Sequence, residues 1–354
     1  MIKPCLISYP YYSSRETGRG HDRYIFELYE GIKKLSPDFE PRLLHQGFSK
    51  SMGVAALKQP RLVSDLLFAK DNLYHAMSPI GGATAALLRK HPLVVTIHDL
   101  VPFHYSGEYD SSMKYWYYRL CTRMCAKKSD AIIVPYSVTK RELIERFNLP
   151  ESKIHVVNYG VDHDTYFPRN SRNKGEGKSK TILYIGEVSR SKGVDALLRA
   201  YSLVERERDD VQLLIGGKKS KDQDLLVELA RELDIKRASF LGYVPENELA
   251  VHYSSADVMV YPSRAGFGLS TLEAMACGTP VVVGATLDAP EFVADAGVLV
   301  NPDDTAKMAD AILTTVSDSK LANDLSAKAI ERAESFSWEN TVRETVAVYR
   351  QFIS

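Results

Sequence analysis

The stretch from Pro262 to Pro280, PSRAGFGLSTLEAMACGTP, brings together groups that suit an anion. Gly266 and Gly268 leave backbone N–H groups uncovered ahead of a helix start. The aligned peptide dipoles of that helix add partial positive charge, so a diphosphate or a sugar hydroxyl is well received there. Phe267, Leu269 and Ser270 share this loop. Ser270-Thr-Leu-Glu273 fits S-x-x-E before an apolar run, which predicts a capping box. The helix is then expected from Thr271 to about Cys277, stopped by Gly278 and Pro280. Glu273 has two readings, a cap or a ligand-facing carboxylate, and geometry alone weights them evenly. GEVSRSKG (186–193) is a second turn of this kind, with Gly186 at its start and Arg190 and Lys192 beside a helix start. A cation there adds to the attraction that the dipole already exerts on phosphate. IGGKK (215–219) is a third glycine-bearing turn. None has G-x-G-x-x-G spacing and the chain has no Walker A pattern, which sets aside the dinucleotide and P-loop arrangements.

Two candidate positions lie in the first half of the chain. TGRGHDRY (17–24) carries Gly18 and Gly20 after the first apolar run, with Arg23 where a nucleotide fingerprint has its third glycine. It is expected to be a flexible, ligand-facing loop. TIHDLVPFHY (96–105) puts His98 and Asp99 where a buried strand ends. Such a pair can orient a substrate or transfer a proton; the plainer alternative is a polar strand end satisfied by backbone. Position favours the functional reading, because ligands of open α/β sheets bind at strand carboxyl ends. His75, His91, His104 and His163 are scattered and suggest no metal cluster.

The elements that must hold these loops are legible as alternation. TILYI (181–185), VQLLI (211–215), ASFLGYV (238–244), DVMVYPS (257–263) and VVVG (281–284) are apolar runs separated by helical segments from about Val194, over 222–233 and near 247–254. Near-continuous Val/Ile/Leu runs between helices predict a parallel sheet covered on both faces. PCLISY (4–9), LVVTI (93–97) and AIIV (131–134) repeat the rhythm more loosely. RNSRNKGEGKSK (169–180) has no large apolar residue and reads as a linker or surface loop. The expected organisation is an N-terminal domain over 1–168, this linker, and a C-terminal domain over 181–337, with the ligand in the cleft between the domains.

Bulk properties narrow the class. A chain of 354 residues accommodates two cores, and 45% apolar with 25% charged residues is ordinary for a globular protein. No apolar run reaches the length of a membrane span, and MIKPCLISYP reads as a first strand rather than a signal peptide. Cys121 and Cys125 stand at helical spacing in an apolar stripe and, with Cys5 and Cys277, form neither a disulfide framework nor a zinc pattern. A reducing, cytoplasmic setting is the expectation. The zero net charge hides an asymmetry: residues 1–180 carry 27 Lys and Arg against 18 Asp and Glu, and the remainder reverses those numbers. Tyr115, Trp116, Tyr117, Tyr118, Arg119, Arg123, Lys127 and Lys128 fall in one helix expected over 111–128. It reads either as a helix resting on an anionic membrane or, slightly favoured because the aromatics are consecutive, as a core helix with a solvated basic flank. Nucleic-acid binding has no support from charge or motif.

LGYVPENELAVHYSSADVMVYPSRAGFGLSTLEAMACGTPVVV (241–283), continuing through APEFVADAGVLVNPDD (289–304), resembles the retaining GT-B glycosyltransferases of the mannosyltransferase and sucrose-synthase-like group, the group 1 glycosyltransferases. TIHDLVP, SDAIIVPYSVTKRELIERF (129–147) and FSWENTVRETVAVYRQF (336–352) share the resemblance, which covers nearly the whole length. It implies a GT-B fold of two doubly wound Rossmann-like domains facing across a deep cleft. The first is the acceptor side, completed by the C-terminal helix 338–354, and the second holds the donor. It implies metal-independent hexosyl transfer from a UDP- or GDP-sugar, without a cofactor, to a glycan or lipid-linked acceptor hydroxyl, with retention. By resemblance Glu273 meets the ribose, the Gly266–Leu269 backbone the sugar and phosphates, Lys192 the diphosphate, His98 the donor sugar, and the backbone at Tyr243 and Val244 the base. The sequence departs from the family in three places: Ala265 holds the slot of a Glu that reaches the donor sugar, Ser270 replaces a Pro, and Glu187 stands where an Arg is found, which leaves Arg190 as its substitute. Ala265 gives the alternative of a catalytically impaired, nucleotide-binding partner subunit.

Overall fold

The computed structural model describes residues 1–8, 20–45, 59–104, 112–169, 179–264, 266, 268–286 and 288–353. The chain divides into two compact units, Met1–Gly160 with Ser337–Ser354, and Val161–Phe336. Each is built on one six-stranded parallel sheet.

In the first unit the strands are β1 (Pro4–Ser8), β2 (Arg42–His45), β3 (Leu73–Ala76), β4 (Leu93–Thr96), β5 (Ala131–Val134) and β6 (Ile154–Val156), in the order β2-β1-β3-β4-β5-β6. β1, β3, β4 and β5 are buried along their whole length, as central strands of a parallel sheet covered by helices must be. The covering helices are α1 (Gly20–Leu35), α2 (Gln59–Phe68), α3 (Pro79–Leu87), the single turn α4 (Val101–His104), α5 (Ser112–Lys128) and α6 (Ser137–Phe147). Cys121 and Cys125 of α5 join the buried core with Val95, Ile97 and Ile132, which accounts for them as small hydrophobes.

The stretch expected as a loop at TGRGHDRY is in part helical. Gly20 opens α1, with Asp22 favourably placed in its first turn, and Gly18 lies outside the described residues. Tyr24, Ile25, Leu28 and Ile32 recur at helical spacing and are all buried. That stripe carries the helix back to Gly20 and overrides the glycine signal.

The second unit has β7 (Lys180–Ile185), β8 (Val211–Gly216), β9 (Ala238–Gly242), β10 (Val258–Tyr261), β11 (Val281–Gly284) and β12 (Val298–Val300), ordered β12-β11-β10-β7-β8-β9. Its helices are α7 (Val194–Glu207), α8 (Gln223–Glu232), α9 (Glu246–Ser255), α10 (Leu269–Ala276), α11 (Ala289–Val293), α12 (Thr305–Ser317) and α13 (Ser319–Glu334). From β7 the chain builds outward to β8 and β9, then returns to build β10, β11 and β12 on the other side. The strand order therefore reverses between β7 and β10, the topological switch point where such sheets open a crevice at their carboxyl ends.

A last helix, α14 (Trp338–Arg350), belongs to the first unit. Ser337 caps it by accepting from the Asn340 N–H at 3.2 Å. Trp338, Val342, Val346 and Tyr349 form its buried stripe. Gly31 of α1 lets Val342 come so close that a Cβ there would stand 2.5 Å from its Cγ2.

Candidate functional site

Two turns flank the switch point of the second unit: residues 186–193 after β7 and 262–268 after β10. They are pressed together. Gly193 has φ +75°, and a Cβ on it would overlap the Pro262 carbonyl oxygen, so only glycine suits that spot. The Arg264 N–H donates to the Ser191 carbonyl at 3.1 Å. Its guanidinium reaches Asp195 of α7 at 2.8 and 3.3 Å, Asp303 at 2.8 Å and the Arg190 carbonyl at 2.6 Å. Arg264 thus staples one loop to the other and is spent on structure.

Below these turns lies a floor that the sequence did not announce. Tyr184 and Tyr261, from the adjacent strands β7 and β10, stack with centroids 5.8 Å apart and planes 9° apart. Gly186 and Gly268 pass over them, and a Cβ would stand 2.8 Å from the Tyr184 hydroxyl or 2.6 Å from the Tyr261 ring. Two strand-end tyrosines facing two glycines is the signal that could have found this floor. The third glycine turn joins the same edge: Gly186 N–H donates to the Gly216 carbonyl at 3.0 Å, and Gly217 N–H to the Gly242 carbonyl at 2.7 Å. Arg190 extends an exposed side chain from the first turn, Lys192 is half-buried, and the Arg190 N–H is fixed by Asp222 at 3.0 Å.

The expected capping box is not formed. α10 begins at Leu269 with Gly268 as its N-cap, and no side chain caps it. Ser270 sits inside the first turn and Glu273 in the second, one turn too deep to reach back. Glu273 is instead buried, 7% exposed, and accepts from the Tyr253 hydroxyl at 2.8 Å. The helix stop is as expected, with Gly278 left-handed at φ +71°. Gly266 also has φ +69°, while Ala265 and Phe267 lie outside the described residues. β9 ends earlier than expected, because Gly242 turns left-handed at φ +73°. That turn leaves Tyr243 half exposed and Val244 buried at the same end of the sheet.

In the first unit His98 follows β4 and is 5% exposed. Its Nε2–H donates to the Met77 carbonyl at 2.9 Å, so Nδ1 is the acceptor and takes the Tyr159 hydroxyl at 2.6 Å. The His21 ring stands edge-on at 4.3 Å. Burial first, then the neighbouring His21, hold the imidazole pKa well below its ordinary value. The ring is therefore neutral and both nitrogens are engaged. Asp99 does not pair with it; its Oδ1 accepts the Val101 N–H at 3.1 Å and opens α4. Behind His98, His75 bridges Tyr349 at 2.6 Å and Thr96 at 2.8 Å, and Thr96 meets Tyr24 at 3.1 Å.

On the outer helices of this unit, Arg119 and Arg146 each lie 4.8 Å from the centroid of the Phe103 ring. A concavity of about 440 Å³ opens there, lined among others by Trp116, Leu120, Arg123 and Lys127. Met113, Trp116 and Leu120 are 80, 65 and 63% exposed, and Arg123 and Lys127 continue their face of α5. The helix is thus a core helix on one side and an unburied apolar-to-basic stripe on the other.

Comparison with known proteins matches both units. The family described as Glycosyl transferases group 1 matches residues 167–332, and Glycosyltransferase Family 4 matches residues 17–165. The O-antigen chain mannosyltransferase B of Escherichia coli is 31% identical over 294 residues, covering 79% of this chain and 74% of that protein. A D-inositol 3-phosphate glycosyltransferase of Corynebacterium aurimucosum is 30% identical over 304 residues, covering 80% and 72%. The sucrose-phosphate synthase of Thermosynechococcus elongatus superposes with a TM-score of 0.85 at 22% identity over 99% of both chains. Anabaena HepE, solved with UDP-glucose, gives 0.78 at 18% identity over 99% of this chain and 100% of that one. These two share the fold, which is GT-B.

Proposed function

This chain belongs to the group 1 glycosyltransferases, which move a sugar from a nucleotide sugar, and from that premise we propose a retaining hexosyltransferase that uses a UDP- or GDP-sugar and a glycan or lipid-linked acceptor hydroxyl. The observation that carries the reading is the stapled pair of turns at the β7/β10 switch point. It joins the turn that carries Arg190 and Lys192 to the loop that leads into α10, which supports a shared role for them at the carboxyl ends of β7 and β10. In this reading Lys192 and Arg190 hold the diphosphate, the backbone from Gly266 to Leu269 holds the phosphates and sugar, and Glu273 accepts from the ribose hydroxyls. The turn at Tyr243 and Val244 meets the base. Lys, Arg and helix N-terminal groups stand in the place a metal would take beside the leaving diphosphate. A leaving phosphate oxygen takes the acceptor proton as the new glycosidic bond forms on the same face, so no protein nucleophile takes part. His98 meets the donor sugar by exchanging the Tyr159 hydroxyl for one on the sugar. The setting is cytoplasmic, with the exposed stripe of α5 resting on the anionic membrane face.

Thermal shift with UDP, GDP, ADP and their sugars tests the donor site. Stabilisation by UDP or GDP is expected, and no shift with any of them removes the reading. Ala265 supports a second reading, a nucleotide-binding partner subunit without turnover. Donor turnover by the native chain and by Ala265→Glu separates the two. Activity in the native chain upholds the transferase, and activity only in the variant upholds the subunit.

A further inference from the structure

The concavity of about 440 Å³ on the first unit is lined by Arg119, Arg123 and Lys127 of α5 and Arg146 of α6, and among the described residues that line it there is no carboxylate. Charge alone would make this a solvated basic flank. Two features make it a built site. The guanidiniums of Arg119 and Arg146 come from different helices, yet both pack on the Phe103 ring, each 4.8 Å from its centroid. Phe103 is itself wedged edge-on against Phe147, with centroids 5.8 Å apart and planes at 82°. Each guanidinium is also oriented by a residue that does not line the concavity. The Tyr115 hydroxyl accepts from Arg119 Nη1 at 3.0 Å. Glu142 Oε1 accepts from Arg146 Nε and Nη2 at 3.0 and 2.7 Å, and its Oε2 meets His104 Nε2 at 2.9 Å. A guanidinium carries five N–H donors, so these bonds leave donors on both arginines.

We infer that this concavity is a phosphoryl seat, in which a phosphate-bearing lipid headgroup docks with its oxygens on the Arg119 and Arg146 forks. Arg123 and Lys127 offset its charge, and the exposed Trp116 and Leu120 enter the acyl boundary beside it. This rests on the reading that the α5 stripe meets an anionic membrane, and adds a chemical preference to it. A surface held by charge alone is indifferent to the kind of anion. Two forks borne on one ring are not. A phosphate monoester offers three strong acceptor oxygens and can serve both, whereas a carboxylate has two and is filled by one bidentate fork. A lysine ammonium in the same place acts as a point charge and loses the distinction.

The test is vesicle flotation of the native chain and of Arg119→Lys with Arg146→Lys, which keeps the charge and removes both forks. The vesicles are phosphatidylcholine alone, or with phosphatidic acid or oleate added to equal electrophoretic mobility. The native partition coefficient is expected to be at least about threefold higher on phosphatidic acid than on oleate, a fraction of what a hydrogen bond between charged groups supplies. In the Lys pair that ratio should fall to about one, with partitioning on oleate within about twofold of native. The ratio is read within each protein, and the native ratio does not depend on a variant folding. A native ratio near one, or a ratio kept in the Lys pair, overturns the seat and leaves the membrane reading standing. Partitioning on both anionic vesicles no higher than on phosphatidylcholine alone removes the membrane reading, and the seat with it.

Discussion

A single histidine sets a pH dependence for the first unit. His75 is fully buried between Tyr349 and Thr96, and burial pushes its imidazole down to about 3. Unfolded, it titrates near 6.5. Between those values the unfolded chain binds more protons than the folded one, so stability is full above about 6.5 and is lost as pH falls toward 3. His98 acts in the same sense, its imidazole also being depressed. Melting followed by circular dichroism should therefore drop by several degrees between pH 7 and 5, of the order expected for a 1–3 kcal/mol loss. His75→Gln should melt lower at pH 7 but show a shallower slope. An unchanged slope would mean that other groups carry the acid sensitivity. The same residue explains a gap in the sequence reading. β3, Leu73-Tyr-His-Ala76, was not expected as a strand because a histidine interrupts its apolar run, and its partner Tyr349 lies 274 residues away. Glu273 behaves alike: S-x-x-E suggests a local cap, while the bond that forms comes from Tyr253.

Among elements, the paired turns at the switch point behave as one part. Gly193 gives its left-handed start to α7 and lies against Pro262, so Gly193→Ala meets two obstacles at once. A non-glycine left-handed residue costs about 1–2 kcal/mol, and the overlap with the Pro262 carbonyl displaces the 262–268 loop. Nucleotide affinity, by titration, is expected to fall at least about tenfold, with a lower melting point. Native affinity in a folded Gly193→Ala would show that the two turns are not coupled. The strands that support these turns were legible because burial on both faces demands unbroken Val, Ile and Leu. Three of the four edge strands were not: β6 and β12 are three residues each, and β2 carries Arg42 bonded to Asp71, whereas the edge strand β9 was read from ASFLGYV. A strand paired on one side only needs no apolar signature. One boundary failed where glycine geometry decided it, at Gly242, and another where a buried stripe carried α1 through glycine, at Gly20.

At the scale of the molecule, residues 1–180 are net basic and the remainder net acidic. The α5 stripe belongs to the basic half, and no helix among the described residues is long and apolar enough to cross a membrane. Contact with a bilayer would therefore be peripheral, with Trp116 and Leu120 buried at the interface and Arg123 and Lys127 over the headgroups. Flotation with vesicles of phosphatidylcholine, alone or with a quarter phosphatidylglycerol, tests this. Recovery should rise at least about threefold with the anionic lipid, at ~1 kcal/mol per surface cation. It should be lost in Arg123→Glu with Lys127→Glu. Equal recovery on both lipids would refute the contact. The double crossing of the chain, at Gly160–Val161 and at Phe336–Ser337, has another consequence. Ribosomes release the strands of the first sheet early, yet α14, which packs on Gly31 of α1 and bonds His75 through Tyr349, is translated after the entire second unit. At ~5–20 residues per second that interval is roughly ten to thirty seconds. Until then the first unit lacks its last helix, so it cannot complete its packing before the whole of the second unit has been translated.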